Sequence, residues 1–218
     1  MRQLFLLGDS TCAEKEADKR PETGWGMGMQ ALVGTSFTVV NLALNGRSTK
    51  SFIQEGVFEK CLRALNADDV VMIQFGHNDS KEDEERHTDP WTTYQGNLAF
   101  MAEQVRQKGA YPILLTPICR RRFSVDGVLV QTHGDYPSAM RALAKGRGYA
   151  VFDLTQETFQ ILTHLGAEAS KQLFLHLKPL EHPNYPEGVA DDTHLNEVGA
   201  RVVARRVFRF LSQHSPRK

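Results

Sequence analysis

Two polar segments near opposite ends of the chain carry residues that could act together as a nucleophile and its base. Residues 8–11 read GDST and contain Ser10, and residues 191–194 read DDTH and contain Asp191 and His194. A serine hydroxyl attacks a carbonyl at neutral pH only when a base takes its proton, and a histidine is a good base when a third group holds its ring. Because the acid lies three residues before the base, a turn can bring the two together. We therefore predict a Ser10–His194–Asp191 triad.

Each half of this triad also has a purely structural interpretation. Asp9 and Ser10 are residue types that are common in turns and at helix N-caps. The acidic residues before the histidine are also favoured at the start of a helix by the helix dipole, and the apolar pattern starts the last helix at Leu195. Asp192 competes with Asp191 as the acid and could instead cap that helix.

Two further motifs, NGRS at residues 45–48 and GHND at residues 76–79, can supply hydrogen-bond donors to a developing oxyanion. Acyl transfer passes through a tetrahedral species, and each preorganised donor is worth roughly 3–4 kcal/mol. Gly46 lets its backbone amide approach closely, and Asn78 donates through Nδ2 without adding charge. With the Ser10 amide, these donors form the predicted oxyanion hole. Each motif alone also fits a simple turn.

The elements that must position these residues follow from the hydrophobic pattern. Five short apolar runs lack clean polar alternation and predict strands buried on both faces of a parallel sheet, at residues 3–7, 37–42, 70–75, 113–116 and 150–152. One helical stripe comprises Tyr94, Leu98, Met101 and Val105, and another comprises Leu195, Val198, Val202, Val207 and Leu211. The alternation predicts an α/β fold, a three-layer α/β/α sandwich in a single domain over residues 1–218.

The first three motifs each come directly after a predicted strand. In an open parallel sheet, the carboxyl ends of the strands form the ligand-binding edge. We therefore expect the three motifs to converge there. The segments at residues 12–22, 81–89 and 123–134 are charged and predicted as loops, and residues 178–192 are predicted as a loop that leads into the last helix.

Composition excludes several classes of protein. The 26 basic and 26 acidic residues cancel, so the chain has no overall attraction for nucleic acid or an anionic membrane. The first apolar run is too short for a signal peptide, and no run approaches the length of a membrane span. Cys12, Cys61 and Cys119 form neither a disulfide framework nor a metal motif. We expect a cytoplasmic protein with no metal, no nucleic-acid partner and no membrane partner.

Taken together, the four motifs resemble those of the SGNH (GDSL-type) hydrolase superfamily. Ser10, Gly46, Asn78 and the Asp191-x-x-His194 pair fall on its four blocks. The longer strings GDST, NGRS, QFGHND and DDTHLN resemble the rhamnogalacturonan acetylesterase group of carbohydrate esterases, and the resemblance spans residues 4–210. Many SGNH lipases have leucine or tyrosine where this chain has Thr11, the last residue of GDST. A threonine at this position fits the carbohydrate esterases better.

The resemblance implies a flavodoxin-like sheet of five parallel strands and ping-pong ester hydrolysis without a cofactor. It also implies removal of acetyl groups from galacturonate residues of the rhamnogalacturonan backbone. Because the chain shows no secretion signal, we expect the substrate to be an imported acetylated oligosaccharide.

A galacturonate substrate carries a carboxylate, which arginine forks match well. Arg47 follows the oxyanion glycine, and Arg120 opens a run of three arginines after the fourth strand. Both are predicted substrate contacts, although Arg121 and Arg122 also fit a solvated surface run. His77 lies between two motif residues and is a third predicted substrate contact, lining the site, unless it supports its neighbour Asn78 instead.

Two other functions compete with this one. A lipase, lysophospholipase or thioesterase could use the same triad, but it needs a long apolar groove that the charged loops do not obviously provide. A non-catalytic flavodoxin-like module would need a phosphate-binding loop after the first strand. Residues 8–14 read GDSTCAE and turn acidic too early for that role.

Overall fold

The five predicted strands form one parallel sheet in the computed structural model, which describes residues 2–214. In chain order, they are β1 (Gln3–Gly8), β2 (Thr38–Asn41), β3 (Val70–Gln74), β4 (Tyr111–Leu115) and β5 (Ala150–Phe152). Their order across the sheet is β2-β1-β3-β4-β5, and every neighbouring pair is parallel. The strand order reverses beside β1, so the loops that follow β1 and its two neighbours meet at one switch point.

Helices cover both faces of this sheet and complete the three predicted layers. They are α1 (Met29–Val33), α2 (Thr49–Gln54), α3 (Val57–Ala64), α4 (Gln95–Gln107), α5 (Tyr136–Arg147), α6 (Leu154–Ala169) and α7 (Glu197–His214). Side chains alternate across a strand. Leu4 and Leu6 therefore join the core beneath α1, α6 and α7, while Phe5 and Leu7 join the core beneath α2 to α5. The predicted fold class is confirmed.

The chain between α6 and α7 differs from the prediction. Strands β6 (Phe174–Leu177) and β7 (Val189–Leu195) form a separate antiparallel pair. The expectation of a loop through residue 192 was therefore wrong from Val189 onward. Pro179, Pro183, Pro186 and Gly188 lie in the turn between the two strands, and that turn obscured the strand that follows it.

The last helix begins two residues later than predicted, at Glu197. Asn196 caps it, because its Oδ1 accepts hydrogen bonds from the amides of Val198 and Gly199. The buried stripe is also displaced from the predicted one, since Val198 is exposed. The buried residues of this helix are Gly199, Ala200, Val203, Ala204, Val207 and Leu211.

The other predicted helical stripe is buried as expected. Tyr94, Leu98, Met101 and Val105 all lie in the core beneath α4. Within residues 2–214, we find no helix with the length and apolar character needed to cross a membrane.

Candidate active site

Ser10 and His194 come together although 184 positions separate them along the chain. Ser10 Oγ lies 2.9 Å from His194 Nε2. On the other side of the ring, His194 Nδ1 lies 2.7 Å from Asp191 Oδ2. Oδ1 of Asp191 also accepts hydrogen bonds from the amides of Thr193, at 2.7 Å, and His194, at 2.9 Å. A carboxylate held in this way fixes the tautomer in which Nε2 is free to accept a proton from the serine.

The charges of this pair support each other. Burial acts against the charged form of Asp191, but hydrogen bonds from the side chain and amide of His194 outweigh it and lower the pKa of Asp191 to about 2. Burial likewise opposes protonation of His194, yet the hydrogen bond and negative charge of Asp191 raise the pKa of His194 above its ordinary value. The ring is therefore a stronger base than a free histidine.

Buried hydrogen bonds fix the loop that carries Ser10. Asp9 is buried, and its Oδ1 accepts hydrogen bonds from the amide and hydroxyl of Thr11 at 2.9 and 2.8 Å. Gln74, the last residue of β3, donates to the same hydroxyl at 2.9 Å and accepts from the Trp25 indole at 2.6 Å. A Cβ at Gly8 would lie 2.9 Å from the Gln74 carbonyl. This close approach brings the two strand ends together.

The three candidate oxyanion donors lie on three different loops, each of which follows a strand of the sheet. Gly46 has a φ of +76°, a conformation that glycine adopts without strain. Asn78 Nδ2 donates one hydrogen to the Arg47 carbonyl at 3.0 Å and keeps a second one for a ligand. Among residues 2–214, no protein acceptor binds the amide of Ser10 or of Gly46. These groups therefore stay the candidate donors to an oxyanion.

Sequence reasoning missed Lys15, which it placed in a charged surface loop. The Lys15 side chain is almost fully buried, and its Nζ contacts Asn45 Oδ1 and Glu22 Oε1, each at 2.7 Å. Asn45 precedes Gly46, the candidate oxyanion donor, so this ammonium ties the first motif loop to the second. The charges of Lys15 and Glu22 also act on His194 in opposite directions. A buried lysine leaves no clear signal in a run of charged residues.

A second missed network holds strand β7. Asp192 Oδ1 accepts hydrogen bonds from Arg121 Nη1 at 2.6 Å and lies 2.8 Å from His176 Nε2. The amide of Arg121 also donates to the Asp192 carbonyl at 2.7 Å. Arg121 is therefore buried and paired, unlike the solvated surface arginine that the sequence also allowed, and Asp192 lies outside the serine–histidine chain of contacts.

His77 and Arg120 lie deeper than predicted for substrate contacts. Gln131 Oε1 is an acceptor, because it receives hydrogen bonds from the backbone amides of Thr132 and His133. The ring nitrogen His133 Nδ1, 3.2 Å from the same oxygen, must therefore donate to it. His133 Nε2 then accepts from His77 Nδ1 at 3.2 Å. Burial is the main cause that lowers the pKa of His77, and it lowers the pKa of His133 to about 3. Repulsion from neighbouring charges acts in the same direction on both rings. Arg120 donates to the His77 carbonyl at 3.1 Å.

Arg47 lies at the surface beside Gly46. Its side chain is 38% exposed and forms a fork with Glu55 Oε2 through Nη2 at 2.7 Å and Nε at 2.9 Å. Both residues line a groove of about 490 Å³ that also includes Gly46, Glu85 and Arg86. The predicted charged loop at residues 81–89 thus forms one wall of a polar groove that begins at a proposed oxyanion donor.

Within residues 2–214, no cluster of three or more His, Cys, Asp or Glu side chains is arranged to hold a metal ion. All three cysteines are free and buried. Burial is the main cause that raises the pKa of each thiol. Buried thiols of this kind are poor nucleophiles.

A family model described as the GDSL-like lipase/acylhydrolase family matches residues 6–202. The chain belongs to this family. It is therefore a carboxylic ester hydrolase of the SGNH type, as the four motifs predicted, and the alternative of a non-catalytic flavodoxin-like module is wrong.

Two relatives from Bacillus subtilis (strain 168) extend over nearly the whole chain. Rhamnogalacturonan acetylesterase RhgT is 42% identical over 205 residues, which cover 94% of this chain and 87% of that protein. The probable rhamnogalacturonan acetylesterase YesY is 32% identical over 211 residues, which cover 96% and 92% of the two chains.

Solved structures share the fold. The crystal structure of YxiM from Bacillus subtilis matches with a TM-score of 0.81 and 25% identity, and the match covers 97% of this chain and 56% of that longer one. An acetylxylan esterase from Geobacillus stearothermophilus, Axe2, matches with a TM-score of 0.68 and 16% identity over 100% of this chain and 97% of that one.

Proposed function

We propose that this hydrolase removes acetyl groups from rhamnogalacturonan or its oligosaccharides through an acetyl-enzyme formed at Ser10. The observation that carries the proposal is the continuous chain of contacts from Ser10 Oγ through His194 to Asp191, at 2.9 and 2.7 Å. The 42% sequence identity to a rhamnogalacturonan acetylesterase, over a match that covers 94% of the chain, supports the substrate class.

In the first half-reaction, Ser10 Oγ bonds to the acetyl carbon while its proton moves to His194 Nε2. The oxyanion of the tetrahedral species accepts hydrogen bonds from the amides of Ser10 and Gly46 and from Asn78 Nδ2. Collapse of this species breaks the bond to the sugar oxygen, which takes the proton from His194 and leaves as an alcohol. Asp191 keeps the ring oriented throughout and stabilises its charged form.

In the second half-reaction, water replaces the sugar. It bonds to the acetyl carbon of the acetyl-enzyme and gives a proton to His194 Nε2. The second tetrahedral species then collapses, and the Ser10 oxygen leaves and recovers the proton. Acetate is released, and the triad returns to its starting state.

The groove beside Gly46 favours a sugar over a long acyl chain. Its side chains are Arg47, Ser51, Gln54, Glu55, Glu85 and Arg86, all of them polar or charged. Sugar hydroxyls both donate and accept hydrogen bonds, so a mixed polar lining suits them. A lipase or thioesterase would bury a long alkyl chain, and no apolar side chain lines this groove.

Arg47 is our candidate contact for the galacturonate carboxylate, because it is exposed in this groove. A substrate carboxylate would share or replace Glu55 on the guanidinium fork. Arg120 remains a second candidate contact from the adjoining loop. His77 is buried against His133, and we propose that it supports Asn78 from behind.

Acetate release from defined acetylated rhamnogalacturonan oligosaccharides tests the proposal, with acetylated xylan fragments and esters of longer acids as comparison substrates. We expect the pectic substrate to be preferred and the rate to fall with acyl length. Ser10→Ala should fold normally, lose several orders of magnitude in kcat and accumulate no acetyl-enzyme by mass spectrometry. Near wild-type turnover in this variant would reject Ser10, and faster hydrolysis of long-chain esters would favour the lipid enzyme.

A further inference from the structure

Asp79 ends the GHND motif, directly after the proposed oxyanion donor Asn78, and its side chain is fully buried. Removing a carboxyl group from water is costly unless its oxygens gain hydrogen bonds. Burial raises the pKa of Asp79 to about 7, against the opposing effect of its hydrogen-bond donors. The reaction steps described above make no use of this residue.

The carboxyl group binds the start of helix α2. Asp79 Oδ1 accepts hydrogen bonds from the Thr49 amide at 3.0 Å, the Thr49 hydroxyl at 2.6 Å and the Thr88 hydroxyl at 3.0 Å. Thr49 is the first residue of α2 and lies three positions after Gly46. This amide has no intrahelical acceptor of its own. Asp79 therefore joins the loop of the third motif to the loop of the second.

Asn78 makes a parallel connection between the same loops. Its Nδ2 donates to the carbonyl of Arg47, two positions before Thr49. The hydroxyl of Tyr136 lies within hydrogen-bond distance of the backbone carbonyls of both Asp79 and Thr88, between which it shares its one hydrogen. Two successive residues of the third motif thus bind Arg47, in the second motif, and Thr49, which directly follows that motif. These two contacts restrain both the separation and the rotation of the loops.

We propose that Asp79 is a positioning residue that sets the spacing between the oxyanion donors Gly46 and Asn78. This role rests on the proposed function, because Asp79 acts only through those donors. An oxyanion exists in the transition state and not in the bound ester, so misplaced donors reduce kcat more than they weaken substrate binding. Loss of Asp79 should therefore lower kcat and leave KM almost unchanged.

Two substitutions at this position separate its acceptor role from its charge. Asp79→Ala removes all three contacts at Oδ1, whereas Asp79→Asn keeps an acceptor oxygen there. We expect kcat for 4-nitrophenyl acetate to fall roughly 10- to 100-fold in Asp79→Ala, with KM within about twofold. The kcat of Asp79→Asn should lie within about fivefold of that of the unsubstituted enzyme, because the retained acceptor oxygen keeps the donors close to their native positions. Thr49→Val, which removes one donor to Oδ1, should lower kcat in the same direction and provides the test if Asp79→Ala does not fold.

Asp69→Ala is the matched control. Asp69 is also buried, and it accepts hydrogen bonds from two backbone amides, those of Gln3 at 2.7 Å and Asn66 at 2.9 Å. It precedes β3, at the opposite end of that strand from the GHND motif. We expect this variant to lose stability in urea without a change in kcat.

The double variant Asn78→Ala/Asp79→Ala completes the experiment. Once Asn78 is absent, the spacing between the two donors no longer matters, so the double variant should lose little more kcat than Asn78→Ala alone. Losses that multiply, or an Asp79→Ala variant that loses only stability, would overturn the role of Asp79. An unchanged kcat in Asn78→Ala would instead contradict the oxyanion assignment on which that role depends.

Discussion

Asp191 and Asp192 are adjacent on strand β7 but bind different partners. Asp191 Oδ2 lies 2.7 Å from the imidazole of His194, whereas Asp192 Oδ1 binds Arg121 at 2.6 Å and His176 at 2.8 Å. Successive side chains of a strand point to opposite faces, so the two carboxylates separate although their backbones are joined. One orients the proposed base, and the other anchors the strand that carries it.

We therefore expect Asp191→Asn to be far more damaging than Asp192→Asn. Asparagine at 191 cannot stabilise the imidazolium and favours the wrong tautomer, so kcat should fall by about 10³- to 10⁴-fold. Asparagine at 192 keeps an acceptor for Arg121 and should cost less than about tenfold, because it acts at a distance from the reacting atoms. Steady-state kinetics with 4-nitrophenyl acetate measure both, and urea unfolding controls for stability. The reverse order would exchange the roles of the two residues.

The raised pKa of His194 predicts an acid limb in the pH profile. Only the neutral ring can accept the Ser10 proton, so kcat/KM should fall as the pH drops through a value above 6.5, the ordinary pKa of histidine. Removing the negative charge with Asp191→Asn should move this limb to lower pH. A limb that stays in place in that variant would argue that another group controls the titration.

The same pair links stability to pH with opposite signs for its two members. The pKa of Asp191 is lowered from 3.8 to about 2, so its contribution is present above pH 3.8 and is lost as the pH falls toward 2. The pKa of His194 is raised, so its contribution is present below pH 6.5 and is lost as the pH rises through the folded-state value. The free energies of unfolding of the unsubstituted protein and Asp191→Asn, measured in urea, should therefore converge near pH 2.

The sheet could be predicted from sequence because its central strands β1, β3 and β4 are buried, and the partly buried edge strands β2 and β5 are also rich in apolar residues. All five runs are apolar without alternation, and each strand of the structure lies within two residues of the predicted limits. Strand β7 could not be found in this way, because its residues Val189–Leu195 are mostly polar and only partly buried. Its position depends on pairing with β6 and on the Asp192–Arg121 contact, which join distant parts of the chain.

The residues of the candidate site also differ in whether the sequence could predict their positions. Ser10, Gly46 and Asn78 follow strands and could be placed by topology alone. Lys15 and Arg121 could not, because each looks like an ordinary surface charge until its buried partner is known. A charged side chain is buried only where an opposite charge or several hydrogen bonds meet it, and those partners lie far away in sequence.

Gly46→Ala tests whether the glycine amide holds the oxyanion. No atom lies within 4 Å of a Cβ built at this position, so the φ of +76° is the source of strain. Gly56→Ala is a matched control, because Gly56 has a φ of +72°, equal space around its Cβ and a location at the start of α3. Both variants should lose about 1–2 kcal/mol of unfolding free energy, and only Gly46→Ala should lose kcat. Alanine keeps the backbone N–H, so a loss of kcat would come from displacement of this amide. Equal kcat in the two variants, with equal losses of stability, would argue against the Gly46 amide as an oxyanion donor.

Arg47→Ala tests how the acidic sugar is recognised. If the guanidinium binds the galacturonate carboxylate, this variant should raise KM for the acetylated galacturonate oligosaccharide by about 10- to 100-fold, as expected for a hydrogen bond to a charged group. The KM for a neutral acetylated sugar should change little.

Arg63→Ala is the control for Arg47→Ala, since Arg63 forms a similar exposed pair with Glu59 at 2.7 Å on α3, and its KM values should not move. Arg120→Ala completes the series for the second candidate contact. If Arg47→Ala and Arg120→Ala both keep the native preference for acidic over neutral sugars, the carboxylate is recognised elsewhere. Arg86, which shares the groove with Arg47, would then be the next arginine to substitute.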